Sequence, residues 1–198
     1  MNDIEAGPKA RVDRWRDEAA RKPDSAVAHF NLGLAYTELG RMSSAESAYR
    51  RALELAPDMV EGWINLGGVL LLQWRFEAAL EATREATARV PGSVLAHFNQ
   101  GQAHLYLGNA QDVVECNRRV LELDPNHAAA HYFLAVGLLA TERVEEAREE
   151  LARATRLGHR PTAEFLRSLE RAEERTTKST VPVMEIGSDE PNAAGGQH

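Results

Sequence analysis

Pro23, Pro57, Pro91 and Pro125 follow one another at a fixed interval of 34 residues. Proline removes a backbone donor and clashes with the turn before it, so each one marks the end of a helix. Four such ends at one spacing restrict the chain to a single two-helix unit copied in tandem. An array of this kind presents an extended surface, which suits recognition better than chemistry in a closed pocket.

Stacking the chain on this period places Ala26, Val60, Val94 and Ala128 first in successive units. The fourth column reads His29, Trp63, His97, His131, and the seventh and eighth read Leu32-Gly33, Leu66-Gly67, Gln100-Gly101, Leu134-Ala135. The eleventh reads Tyr36, Leu70, His104, Leu138, and the twentieth Ala45, Ala79, Val113, Ala147. Tyr49, Thr83, Asn117 and Leu151 share the twenty-fourth column; Ala52, Ala86, Val120 and Ala154 share the twenty-seventh. Small residues at columns eight and twenty let antiparallel helices approach closely, and bulky ones at four, seven, eleven and twenty-four fill the space between them.

These columns resemble the tetratricopeptide repeat, whose signature is W-x2-L-G-x2-Y, then A-x3-F, then a closing Pro. The resemblance implies an all-α fold, a right-handed superhelical α-solenoid of antiparallel helix pairs. Repeats are expected over 26–59, 60–93, 94–127 and 128–160. The first is closest to the pattern, and the second has Trp74 where a turn glycine is usual. The third departs most, through Gln100, Val113, Asn117 and Val120, and is expected to pack less tightly. Residues 1–25 read as a leader and cap helix with Val12, Trp15 and Ala19 on one face. Residues 161–175 read as a C-terminal cap with Phe165, Leu166, Leu169 and Ala172 on one stripe.

The family's first helices line an inner groove with positions two, five, six, nine, twelve and thirteen. Carried onto this chain, position five supplies Phe30, Ile64, Phe98 and Tyr132, and position six supplies Asn31, Asn65, Asn99 and Phe133. Leu34 and Gln102 come from position nine and Tyr106 from position thirteen. The implied groove is apolar and aromatic with a ladder of three carboxamides. Asn donates and accepts at once, so such a ladder matches the backbone of an extended peptide while neighbouring apolar residues take its side chains. Some family members hold the terminal carboxylates of chaperones with inner Lys and Arg. None stands at these positions here, and a carboxylate against this lining would lose solvation without a cation to replace it. The expected ligand is an apolar or aromatic segment of a partner protein, with a basic residue opposite Glu38 or Glu61.

Composition removes other classes. The formal net charge is −7 and no basic stripe is present, which excludes a phosphate-binding surface for nucleic acid. No apolar run has the length of a membrane span, and the N-terminus has no apolar core of a signal peptide. The single Cys116 forms no internal disulfide, which places the chain in a reducing cytoplasm. Its high Ala and Arg content fits a bacterium with a GC-rich genome.

His127 and His131 have the spacing of two metal ligands, but the run HAAAH lacks a catalytic Glu and no third ligand is evident. His97 and His104 fall on packing columns. No nucleophile elbow, phosphate loop or dinucleotide fingerprint occurs, so neither catalytic residues nor a cofactor are expected. Residues 176–198 read as a flexible tail rich in Pro, Gly, Ser and Asn. Within it, Val181-Pro182-Val183-Met184-Glu185-Ile186 is an apolar, extended piece that could dock in the groove of its own or a neighbouring molecule. The combined expectation is a non-enzymatic scaffold or adaptor for a partner protein. The alternatives are a small chaperone for a secreted or membrane-destined subunit, and a histidine-based metalloprotein or enzyme.

Overall fold

The computed structural model describes residues 7–180. They form ten helices and no strand: α1 (Pro8–Arg21), α2 (Ala26–Glu38), α3 (Met42–Leu55), α4 (Val60–Leu72), α5 (Phe76–Arg89), α6 (Val94–Tyr106), α7 (Ala110–Leu123), α8 (Ala128–Ala140), α9 (Val144–Arg156) and α10 (Ala163–Thr180). The segment Val181–Ile186 lies outside the described residues.

The proline punctuation acts as its chemistry requires. Lys22, Ala56, Val90 and Asp124 each precede a proline, and each leaves the helix with φ between −130° and −139° and positive ψ. The next first helix is then started by a second periodic column. Ser25 and Ser93 accept the amide of the residue three positions on, and the His127 Nδ1 does the same for Ala130 at 3.0 Å. His127 is therefore a helix cap, a role its spacing to His131 did not suggest.

Helices pair as α2 with α3, α4 with α5, α6 with α7 and α8 with α9, and each pair packs on the next. Among the described residues, α2, α4, α6 and α8 also touch across successive pairs, whereas α3, α5, α7 and α9 do not touch one another. The array therefore curves with its first helices inside. Columns twenty and twenty-seven are fully buried in all four pairs.

The third pair differs from the others in polarity. Val113 and Val120 are fully buried in place of alanines, and Gln100, His104 and Asn117 are buried beside them. Asn117 donates to the Val113 carbonyl at 2.8 Å, while its Oδ1 is buried without a partner. Gln100 reaches the Thr87 hydroxyl at 3.3 Å.

Both ends are closed. Val12 and Ala19 of α1 are buried on α2, and Phe165, Leu169 and Ala172 of α10 join the core of the last pair. Leu166 departs from the expected stripe: it is exposed. The C-terminal helix also runs to Thr180, past Arg175, where its charged face was expected to give way to tail.

Candidate concave binding surface

The inner face is built on a floor fixed by close helix contact. A Cβ on Gly33 would stand 2.5 Å from the Tyr49 ring, and one on Gly67 would stand 2.5 Å from the Thr83 methyl. Column eight thus lets column twenty-four of the same pair lie against the first helix. Tyr49 is fully buried there, and its hydroxyl meets the Thr37 Oγ1 at 3.1 Å. Burial pushes its phenol above the ordinary value, partly opposed by the Thr37 hydrogen bond.

Above this floor, Phe30, Asn31, Leu34, Ile64, Asn65, Phe98, Asn99, Gln102 and Phe133 are half-buried, each with part of its side chain open. Phe98 packs on Phe133 with centroids 5.7 Å apart, joining the third and fourth pairs. Tyr106 is 58% exposed. Tyr132 differs from the expectation, because α10 covers it: only 8% remains exposed. His159 stacks on its ring at 4.3 Å and Phe165 meets it edge-on at 5.4 Å. It serves the core under the cap, and Phe133 beside it keeps the inner role.

The three carboxamides are not equivalent. Asn65 donates to the Glu61 carbonyl one turn back at 2.7 Å, and Asn99 reaches across to the Ile64 carbonyl at 3.5 Å. Asn31 has no hydrogen-bond partner among the described residues. Two of the three therefore have one of their two N–H donors committed inside the protein, which leaves the other N–H and the carbonyl oxygen of each uncommitted. Glu38 is also engaged, since Arg11 of α1 reaches it at 2.5 Å. The inner positions contain no cation, but the N-terminal cap brings one to the groove's edge. Any basic ligand residue is left with Glu61.

Apolar exposure concentrates on this face. Of eight exposed large hydrophobic residues among those described, Val27, Leu72, Leu95 and Tyr106 occupy inner positions two or thirteen. Trp74, 71% exposed, adjoins Leu72 at the rim. Its backbone has φ of +62°, where two of the matching turns use Gly40 at +74° and Gly108 at +76° and the fourth uses Glu142 at +60°. A left-handed conformation is costly for a bulky residue. Trp74 meets Phe76 and Tyr106 edge-on at 6.1 and 5.6 Å, and Phe76 stacks on Tyr106 at 4.7 Å with planes 5° apart. At the other end of the groove Leu105, Phe133, Val136 and Leu139 line a cavity of about 380 Å³ bounded by Phe165 and Ser168 of α10.

The histidines have structural partners. His29, His97 and His131 each place Nε2 within 3.0 Å of the carbonyl of the preceding repeat's proline, and Trp63 places Nε1 2.7 Å from that of Pro57. The Nδ1 of His131 lies 2.5 Å from Glu150. Among the described residues no three His, Cys, Asp or Glu side chains are grouped to hold a metal. Burial, with Asp112 and Glu115 nearby, raises the Cys116 thiol to about 11, which keeps it protonated and unreactive at neutral pH. No described helix is long and apolar enough to cross a membrane.

Sequence patterns of the Tetratricopeptide repeat match residues 26–59, 66–112 and 98–159. Among curated proteins, none matches this sequence. Solved structures with the same fold include MamA residues 41 to the end from Desulfovibrio magneticus RS-1, 20% identical, covering 76% of this chain and 85% of that one with a TM-score of 0.72. Pseudomonas aeruginosa PilF is 24% identical, covering 86% of this chain and 79% of its own at a TM-score of 0.71. YrrB, described as a TPR protein with an unusual peptide-binding site, is 22% identical, covering 84% and 82% at 0.68.

Proposed function

This chain belongs to the tetratricopeptide repeat family of protein-interaction scaffolds, and on that premise we propose that its concave face holds an extended, largely apolar segment of a partner protein. The observation that carries this reading is the placement of exposed apolar surface. Val27, Leu72, Leu95 and Tyr106 are exposed on the inner helices while columns twenty and twenty-seven are buried. Surface that serves only folding has no reason to collect on one face. The strained, exposed Trp74 adds an aromatic side chain to this apolar surface, a residue type enriched at binding interfaces.

The tetratricopeptide repeat is typically an interaction module rather than a catalytic one. Here the histidine nitrogens are engaged in repeat junctions and caps, and the Cys116 thiol is protonated, which supports a non-enzymatic adaptor. Its lone, half-buried cysteine suits a reducing compartment, so we place the adaptor in the cytoplasm. The carbonyl oxygens of Asn65 and Asn99 accept amides of the bound segment, and Phe98, Phe133 and Tyr106 contact its side chains.

Selection from a random peptide library on the full-length protein tests this reading. The expected result is enrichment of segments rich in apolar and aromatic residues and poor in acids, with contacts that map to α4, α6 and α8. Absence of any enriched peptide, or contacts on the outer helices α5 and α7, would overturn it.

A further inference from the structure

The cavity at the C-terminal end of the groove lies close to the place where the chain leaves its last helix. Phe165, near the start of α10, meets Tyr132 near the start of α8 at 5.4 Å, while Glu173 lies 3.9 Å from Arg148, near the start of α9. Thus α10 runs beside α8 in the same direction and antiparallel to α9. From Tyr132 the helix α8 has eight more residues, to Ala140; from Phe165 the helix α10 has fifteen, to Thr180. Thr180 therefore overshoots Ala140 by seven residues, roughly 10 Å at the helical rise. Neighbouring helix axes stand roughly 10 Å apart.

The straight distance from Thr180 to Ala140 is then roughly 15 Å, the span of four or five extended residues. The residues at that distance are Met184 and Glu185, in the apolar piece VPVMEI. In an extended chain Pro182, Met184 and Ile186 share one face, and all three are apolar.

We propose that Val181–Ile186 docks as an extended segment over the cavity lined by Leu105, Val136 and Leu139 of the same molecule, and so competes with a partner for the C-terminal end of the groove. This deepens the reading of the concave face as a site for extended apolar segments and rests on it.

Methyl NMR of the full chain tests the docking without a partner, comparing the native protein with Met184→Asp/Ile186→Asp. The expected result is a change confined to methyl groups of Leu105, Val136 and Leu139, the same at tenfold different protein concentrations. A synthetic peptide spanning Thr180–Gly187, added to the double variant, returns those signals toward their native positions. Both substitutions lie beyond α10, so unchanged helicity and melting exclude misfolding. Unchanged Leu105, Val136 and Leu139 methyl signals in the double variant overturn the docking. Differences that grow with protein concentration overturn it in favour of a second copy as occupant. Neither outcome touches the groove reading, which stands or falls with the peptide selection.

Discussion

The Nε2 of His97 lies 2.9 Å from the carbonyl oxygen of Pro91, six residues back. Trp63 occupies the same column and places its indole Nε1 2.7 Å from the carbonyl of Pro57. Two different rings thus present an N–H to the same group, the carbonyl of the proline that closes the preceding repeat. Histidine stands in the tryptophan column because it can donate there. Replacing His97 with Phe, which keeps a ring and loses the donor, is expected to lower stability by about 1 kcal/mol. His97→Trp should retain most of it. Denaturant titration of the two variants separates the donor from the ring; equal losses would contradict the hydrogen-bond account.

Gly33 and Tyr49 form a matched pair. Three Tyr49 ring atoms lie within 3.0 Å of where a Gly33 Cβ would be, and the ring is fully buried. Gly33→Ala gains about 1 kcal/mol of helix propensity. Against that, overpacking of a fixed ring costs about 1–3 kcal/mol, so net destabilisation is expected. Gly33→Ala with Tyr49→Leu should recover stability, measured as a thermal midpoint above that of the single Gly33 variant.

The third repeat should carry a pH dependence of its own. Burial holds the His104 ring below the ordinary imidazole range, partly opposed by Asp112. The unfolded chain then takes up a proton before the folded one as pH falls below about 6.5. Stability contributed by this site is present above that value and is lost as pH falls toward the folded-state value. Leucine fills this column in two other repeats, so His104→Leu is expected to raise stability and flatten the profile between pH 7 and 5. An unaltered slope in that range would count against this account.

Trp74 sets stability against binding. Substituting Gly relieves a backbone cost of about 1–3 kcal/mol. It removes edge-on aromatic contacts worth about 0.5–1.5 kcal/mol each. Trp74→Gly is expected to fold at least as stably as the native chain and to bind selected peptides more weakly. Full retention of affinity would remove Trp74 from the binding surface.

The repeat and its packing were legible because one physical requirement recurs four times. Close approach at column eight, burial at columns twenty and twenty-seven, and helix ends at proline each leave the same residue type at the same interval. The inner face was legible only in part. Tyr132 has the same sequence position as Phe30, Ile64 and Phe98, yet α10 covers it, because the cap supplies the neighbour that a free inner position lacks. Leu166 shows the converse, since its apolar character suggested the cap's buried stripe and the side chain is exposed. The ion pair of Arg11 with Glu38 joins residues 27 positions apart from different repeats, a contact no period reveals. The role of His127 as a cap could have been found. It stands in the column of Ser25 and Ser93, immediately before each first helix.

The central claim is that the concave face reads an extended segment through its carboxamides. The direct measurement is calorimetric titration of a library-selected peptide into the native chain and into Asn65→Ala/Asn99→Ala. Loss of two acceptors, each worth about 1 kcal/mol, predicts affinity weaker by roughly tenfold or more. Helicity should be unchanged and melting lowered by no more than the loss of the Asn65–Glu61 and Asn99–Ile64 hydrogen bonds, so the folded state is retained at the temperature of the titration. Equal affinity for the two proteins would contradict the account.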